Sequence, residues 1–167
     1  MTRRVPVIAA AVAAAVGFAG PASADELMVE ACIKAAADVH KVSAGVLVLL
    51  LDVERGRLGA VSPNTNGTVD IGPMQVNDTW VDKVAQRWGA SREAAYLALR
   101  DNFCANVEAG AWILQQALDE ASGNLWEGVA IYHSHNAVNQ RDYLKSVYEH
   151  AMRLRRQAIA EFDRATP

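Results

Sequence analysis

The chain has 167 residues, of which 51% are hydrophobic and 21% charged, and its formal net charge is −3. This length suffices for one domain with its own core and is too short for two. Because nucleic-acid binding requires a basic surface, the acidic balance argues against a nucleic-acid partner.

The first residues predict export. Arg3 and Arg4 precede an apolar stretch at 5–18, which is followed by Ala22-Ser23-Ala24. This order is typical of a secretory signal, and an apolar core of about 14 residues is shorter than the roughly 20 needed to cross a bilayer. We predict a signal peptide at 1–24, cleaved after Ala24, a single domain at 25–167, and a periplasmic or secreted location.

The residues after Ala24 carry 14 basic and 19 acidic side chains, a net charge of −5. They contain no second apolar segment of membrane-spanning length, so we do not expect an integral membrane protein. Cys32 and Cys104 are the only cysteines, and an even count in an exported protein favours a disulfide over two buried thiols.

The first predicted elements are two helices. Residues 27–39 carry Leu27, Ala31, Ala35 and Val39 at a spacing of four, which predicts a helix with these residues on its apolar face. Ser43 is a suitable N-cap for a second helix, from 44 to about 53. That segment is apolar all round, so we expect it at the centre of the fold.

From 56 to 77 glycine, proline and asparagine interrupt any helical pattern, which predicts loops and one small hairpin. Asn66-Gly67, between Val61 and Val69, is a strong hairpin signal. Helices resume at about 79–88 and 91–99. A longer helix follows, capped by Asp101 or Asn102, and then helices at about 125–132 and 139–162. The predicted fold class is mainly α, with one irregular lobe.

Individual faces of the later helices follow from the same pattern. One face of the long helix after Asn102 comprises Phe103, Val107, Ala111, Leu114 and Leu118. We assign the four tryptophans, Trp80, Trp88, Trp112 and Trp126, mainly to the core, although Trp80 at a cleft would stack on a sugar. The arginines at 153, 155 and 156 predict a solvated face of the last helix, or a surface for anionic lipid or a partner protein.

Glu54 ends the most apolar run of the chain, and the segment Asp70-Ile71-Gly72-Pro73-Met74-Gln75-Val76-Asn77 follows 16 residues later. A carboxylic acid beside an apolar helix keeps its proton to a high pH, and side-chain amides can hold a sugar against it. The pair predicts a site that cleaves glycosidic bonds. The alternative is that Glu54 only pairs with Arg55 or Arg57 at a helix end.

A family resemblance rests on motifs in a fixed order. They are the apolar helix, Glu54, Asn64-Thr65-Asn66-Gly67, the segment 70–77, the stretch 106–114, and Tyr132-His133-Ser134. This order resembles the lysozyme-like (SLT-type) lytic transglycosylase domain, from about Cys32 to Val147. The two cysteines and the Tyr132-His133-Ser134 variant are similar to small specialised members that accompany type III or type IV secretion or conjugation systems.

The resemblance implies a lysozyme-like fold, a periplasmic location and peptidoglycan as substrate. It also implies that Glu54 is the general acid and base that cleaves the MurNAc-GlcNAc β-1,4 bond and forms 1,6-anhydro-MurNAc ends. Tyr132 occupies the position of an aromatic hydroxyl close to the glutamate, and Ser134 can join it. Arg55 departs from the family, which usually has a small hydroxyl residue there, and a neighbouring guanidinium would lower the pKa of Glu54.

Asp70 leaves two enzymes open. The stretch 64–77 also resembles animal-type lysozymes, in which the matching position carries a second catalytic carboxylate, so Glu54 and Asp70 together would suit a muramidase. Alternatively, Asp70 only holds the turn through hydrogen bonds to the backbone.

Gln75 and Asn77 alternate with Met74 and Val76, so an extended segment would direct both amides to one side, towards a glycan. The alternative is that these amides satisfy backbone groups of a loop. We predict substrate binding by Met74, Gln75, Asn77, Tyr132 and Ser134. His133 and His135 are too weak a signal for a metal, and we expect no metal and no cofactor.

Three hypotheses remain after the sequence analysis. The chain is a lytic transglycosylase that opens peptidoglycan locally during assembly of a secretion or conjugation apparatus, a lysozyme-like hydrolase, or a catalytically weak glycan-binding assembly factor. Its partners would be glycan strands and proteins of such machinery.

Overall fold

A computed structural model describes residues 23–166; most of the predicted signal peptide, residues 1–22, lies outside them. The described chain contains seven α-helices and one three-stranded antiparallel sheet, which confirms the mainly α class with a small hairpin lobe. The helices are α1 (Ala24–His40), α2 (Ala44–Glu54), α3 (Val81–Trp88), α4 (Arg92–Asp101), α5 (Phe103–Glu120), α6 (Leu125–His133) and α7 (Ala137–Ala165). The strands are β1 (Val61–Pro63), β2 (Val69–Ile71) and β3 (Val76–Asn77), and a 3₁₀ turn, Asp78–Trp80, joins β3 to α3.

Helix α2 packs against α1 and α7, and the central position that the sequence predicts holds for one face only, since Val48 is 43% exposed. Leu47, Leu49 and Leu50 are buried in the core, and the helix ends at Glu54, one residue beyond the predicted end. Arg55 is the C-cap, with a left-handed φ of 53°, and its N–H donates to the carbonyl of Leu51. The chain therefore turns sharply directly after Glu54.

Helix α1 packs on α5 through a different face from the one that the sequence suggests. The buried residues are Ile33, Ala36, Ala37 and His40, whereas Leu27 and Val39 are 55% and 64% exposed. The stripe predicted as the apolar face was therefore the wrong one. The side chains of Ala36 and Ala37 are small, so α1 can lie close to α5, and the disulfide between Cys32 and Cys104 joins the same two helices.

The hairpin at Asn66-Gly67 is confirmed. Val61 pairs with Ile71 across β1 and β2, and Gly67 has a φ of 85°, a conformation that glycine adopts without strain. Strand β3 continues the sheet, with Asp70 opposite Asn77. The sheet therefore brings Asp70 and Asn77, the first and last residues of the 70–77 segment, together.

Helix α5 is packed by α1, α4 and α6, and its predicted buried face is confirmed at Val107, Ala111 and Leu114. Helix α7 packs on α2 and α6 through Tyr143 and Val147. From 155 onwards its residues are all exposed.

The core assignment of the tryptophans holds in part. Trp80, Trp88 and Trp112 pack against the core, but Trp126 in the first turn of α6 is 52% exposed, so its assignment to the core was wrong. Within residues 23–166, no helix combines the length and the apolarity needed to cross a membrane.

Candidate active site

A cleft of about 1060 Å³ runs between the three-stranded sheet and helices α5 and α6. Of the residues predicted from the sequence, the cleft brings together Glu54, Asp70, Gln75, Asn77, Tyr132 and Ser134. The wall also contains Trp80. A groove of this size, lined by carboxylates, amides and an aromatic face, suits a carbohydrate chain.

Glu54 is positioned by the end of α2 and held by a residue of α7. The hydroxyl of Tyr143 donates to Glu54 Oε1 at 2.5 Å. Burial raises the pKa of Glu54 to about 7, the hydrogen bond from Tyr143 acts against this, and the charge of Asp70 adds to it. Near neutral pH, Glu54 therefore holds a proton that it can both donate and take back.

Arg55 does not form the alternative pairing with Glu54. Its side chain is exposed, and within residues 23–166 Glu54 forms no ion pair with Arg55 or Arg57. Asp52, two residues earlier on α2, instead pairs with Arg153 and with His150 at 2.9 Å. These contacts fix α7 against the helix that carries Glu54.

Asp70 lies on β2 with its carboxylate bound by a neighbouring strand. Asn77 Nδ2 donates to Asp70 Oδ1 at 2.8 Å and to Thr68 Oγ1 at 3.0 Å. The Oδ1 atom of Asn77 accepts from the backbone and hydroxyl of Thr79, so the same side chain caps the 3₁₀ turn. Asp70 thus has a side-chain partner rather than the backbone contacts of a turn, and its charge acts on Glu54.

The extended conformation predicted for 74–77 is wrong at Gln75. Its φ is 48°, and its backbone N–H and Nε2 both donate to the carbonyl of Gly72, at 3.1 and 2.9 Å. The chain forms a tight turn there, and the strand begins only at Val76. Gln75 still reaches the cleft, because the left-handed residue directs its side chain back over the turn.

Met74 lies apart from the other predicted binding residues. Its side chain is fully buried against Gly110 of α5, where an added Cβ would come within 2.8 Å of Met74 Cε. Its side chain therefore fills the core beneath the cleft, and it does not line the cleft wall.

Tyr132 and Ser134 both line the cleft but make other contacts than Glu54. The hydroxyl of Tyr132 donates to the carbonyl of Met74 at 2.9 Å, and Ser134 Oγ accepts from the N–H of Asn136 at 3.1 Å. The sequence predicts that the phenol of Tyr132 contacts Glu54, but the phenol that does so is that of Tyr143, and Tyr132 instead fixes the turn that carries Gln75. Burial raises the pKa of Tyr132, so it stays a neutral donor.

Two residues of the site were missed in the sequence. Tyr143 belongs to no motif and lies within a long helix. The spacing of four residues to Val147 indicates that both lie on one face of this helix, but it does not indicate a role in the site. Asn106, on α5, is fully buried, accepts from the N–H of Met74 at 2.7 Å and donates to the carbonyls of Ile71 and Leu99. A single side chain thus anchors the turn below the cleft.

The histidines near the cleft have other partners. His133 stacks on Tyr143, with ring centres 4.1 Å apart and planes parallel within 1°, and burial lowers its pKa. His135 contacts Glu120 at 3.1 Å. In the described part of the chain, no cluster of three or more histidine, cysteine or acidic side chains has the geometry of a metal site.

One family model matches the chain. Its description is "Transglycosylase SLT domain", and the match covers residues 31–154, from α1 to the last packed turn of α7. No curated protein matches the sequence.

Proposed function

Because the chain belongs to the transglycosylase SLT domain family, the lytic transglycosylases of peptidoglycan, we propose that it cleaves the MurNAc-GlcNAc β-1,4 bond and leaves 1,6-anhydro-MurNAc ends. The observation that carries this proposal is Glu54: a carboxylic acid with a pKa of about 7, partly buried at a helix end, in the wall of a glycan-sized cleft.

In the first step, protonated Glu54 gives its proton to the oxygen that links the two sugars. The bond between this oxygen and C1 of MurNAc breaks, and the bonding electrons leave with the oxygen. Positive charge develops at C1, and the carboxylates of Glu54, now ionised, and of Asp70 both stabilise this charge. Burial matters in this step because an acid that had already ionised would have no proton to give.

In the second step, the Glu54 carboxylate takes the proton of the C6 hydroxyl of the same MurNAc. The C6 oxygen forms a bond with C1, the ring is closed, and Glu54 is protonated again. No water is consumed, so one carboxyl group suffices for both steps. Tyr143 holds the carboxylate in place by donating to Oε1.

The second candidate function is hydrolysis, with Asp70 as nucleophile or cation stabiliser. Its support is that Asp70 lines the same cleft and its charge raises the pKa of Glu54. The hydrogen bond from Asn77 to Asp70 Oδ1 opposes it, since a donor on a carboxylate oxygen lowers its nucleophilicity. The third candidate is a catalytically weak factor that binds glycan in the cleft without cleaving it.

The location and partners of the protein are part of the same proposal. A peptidoglycan substrate requires export, in agreement with the signal predicted at 1–24 and a single domain at 25–167. The cysteine pair and the Tyr132-His133-Ser134 variant support a role in local cell-wall opening for a secretion or conjugation apparatus.

Product analysis tests the proposal. Purified peptidoglycan is digested, and the muropeptides are separated and weighed by mass spectrometry; an anhydro end is lighter than a reducing end by one water. We expect anhydro ends from the wild type and none from Glu54→Gln. Reducing ends alone would favour hydrolysis, and glycan binding without any product would favour the third candidate.

A further inference from the structure

A second depression, of about 280 Å³, adjoins the cleft on the side of α3. It is lined by Lys83, Gln86 and Arg87 of α3 and by Trp112 of α5. Lys83 lines both the depression and the cleft wall, so it lies at the border between them. Three of its four lining side chains present N–H donors on flexible or forked ends, a composition that suits an anionic group.

Two packed indoles with a cation at each end connect the cleft to this depression. Lys83 Nζ lies 4.4 Å from the ring centre of Trp80, Trp80 packs edge-to-face on Trp112 with centres 5.6 Å apart, and the Arg87 guanidinium lies 5.4 Å from the ring centre of Trp112. These distances are within the range of cation–π attraction, so the two cations are held over aromatic faces.

Arg87 is also fixed from the side away from the depression. Its Nη1 donates to Glu108 Oε1 at 2.6 Å, and Glu108 also accepts from Trp88 at 2.9 Å and contacts His40 at 2.7 Å. Although burial acts against it, the bonds from His40 and Trp88 and the charge of Arg87 lower the pKa of Glu108. Glu108 does not line the depression, so the arginine is oriented before a ligand arrives.

The charge left in the depression is positive. Glu108 balances Arg87, but Lys83 forms no ion pair within residues 23–166, and the nearest acidic residue in sequence, Asp82, pairs with Arg92 at 3.0 Å. Arg87 has five N–H donors, of which Glu108 engages one. A carboxylate can therefore bind between Lys83 and the free edge of Arg87.

We propose that this depression binds a carboxylate of the peptide stem of peptidoglycan while the glycan strand lies in the cleft. The inference rests on the proposed function, because it takes peptidoglycan as the substrate. The stem branches from the lactyl ether of MurNAc and ends in free carboxylates, so it must leave the glycan groove sideways. Lys83, at the border between cleft and depression, marks where it leaves.

The test compares three forms of the same glycan strands: with intact stems, with stem carboxylates converted to amides, and with stems removed by an amidase. For the wild type we expect kcat/KM on intact strands to exceed that on the other two by about fivefold, the effect of one partly exposed charged contact. In Lys83→Met this preference should disappear, whereas in the matched control Lys145→Met, on the exposed side of α7, it should remain.

Two outcomes would overturn the inference: a wild type that cleaves all three strands equally, or an equal loss in Lys83→Met on all three. Equal cleavage of all three strands would mean that the protein does not bind the stem. An equal loss in Lys83→Met would mean that Lys83 contacts only the glycan.

Binding provides a readout that does not depend on cleavage. Free stem peptide is added to ¹⁵N-labelled protein, and the indole N–H signals of the tryptophans are followed by NMR. We expect the Trp112 signal to shift with intact peptide, and to shift much less with the amidated peptide or in Lys83→Met. An unmoved Trp112 signal contradicts the inference, whereas a shifted signal without cleavage of any strand contradicts only the proposed function.

Discussion

Glu54 and Tyr143 are two acids joined by one hydrogen bond, and their ordinary pKa values of 4.5 and 10.0 decide which of them keeps its proton. Burial raises the pKa of both side chains, but only that of Glu54 reaches the neutral range. The phenol therefore remains a donor, and the carboxyl group is the one that exchanges its proton during turnover.

The raised pKa predicts a pH dependence of activity. Because the first step requires protonated Glu54, kcat/KM should fall as the pH rises through about 7, with a tenfold loss for each further pH unit. Initial rates on soluble glycan strands between about pH 5 and pH 9 measure this decrease, which is the alkaline limb of the pH–rate profile. A rate that stays constant up to pH 9 would show that Glu54 is not the acid of the reaction.

The same pKa predicts a pH dependence of stability. Between pH 4.5 and about 7 the folded state holds a proton on Glu54 that the unfolded state releases, so the free energy of unfolding decreases as the pH rises. The full loss is on the order of 3 kcal/mol, reached above pH 7. Urea unfolding at about pH 5 and pH 8 should show this loss in the wild type and not in Glu54→Gln. Equal losses in both proteins would contradict it.

Tyr143→Phe tests the hydrogen bond alone, since it keeps the ring that stacks on His133. Because the bond favours the ionised carboxylate, its removal should raise the pKa of Glu54 further and shift the alkaline limb upwards. The less firmly held carboxylate should also lower kcat by about tenfold. An unchanged pH profile with unchanged kcat would mean that Tyr143 only fills space.

At the residue scale, the sequence identifies side chains whose chemistry is unusual in their context. Glu54 is recognisable because it follows an apolar run, and Asp70 and Asn77 because they belong to the motif at 70–77. Tyr143 and Asn106 are not, since a tyrosine or an asparagine in a helix is common. Their roles depend on which helix faces α2 or the 71–74 turn, and that is decided by tertiary packing.

The packing around the site requires glycine at Gly56 but not at Gly45, the other glycine next to or within α2. An added Cβ on Gly56 would come within 2.0 Å of the carbonyl of Gly72, so the chain after α2 lies directly on the 72–75 turn. On Gly45, in the first turn of α2, the nearest atom would be Ser43 Oγ at 3.6 Å, an ordinary contact.

Gly56→Ala and Gly45→Ala are therefore a matched pair. Because backbone must move at Gly56, we expect a loss of at least about 2 kcal/mol of stability and of most activity. Gly45→Ala should be neutral or stabilising by about 0.5 kcal/mol, since alanine favours the helix. Thermal unfolding and glycan-cleavage rates compare the two variants. Equal effects would mean that the turn does not depend on the close contact at Gly56.

At the element scale, caps and turns are more predictable than faces. Ser43, Ser91 and Asn102 precede helices as their residue types predict, and Asn66-Gly67 forms the hairpin turn. The face of α1 is not predictable in the same way, because both of its stripes contain alanine and aliphatic residues. The left-handed conformation of Gln75 is not predictable either, since a residue other than glycine gives no local signal for it.

The disulfide between Cys32 and Cys104, which was predicted from the cysteine count, links α1 to α5 across 72 residues of sequence. On the chain-entropy account, closing a loop of this length stabilises the protein by about 4 kcal/mol. The double variant Cys32→Ala/Cys104→Ala should lose a comparable amount in urea unfolding. In the wild type, alkylation should add mass only after reduction; modification of the unreduced protein would contradict the bridge.

At the scale of the whole molecule, the fold class was predictable because helical periodicity and breakers divide the chain clearly. Only part of the cleft was predictable. The motifs indicate that Glu54 and the 70–77 segment form one site, but they do not indicate that α7 packs against that site. The second depression was not predictable from the sequence either, because it forms only where Lys83 and Arg87 of α3 lie beside Trp112 of α5.

The central claim is that Glu54 remains protonated near neutral pH in the folded protein. The most direct measurement is an NMR titration of the ¹³C-labelled glutamate carboxyl groups, in which the signal absent from Glu54→Gln identifies Glu54. We predict a midpoint at about pH 7. A midpoint at or below the usual 4.5 would contradict the account, because the acid would then have lost its proton before the glycan arrives.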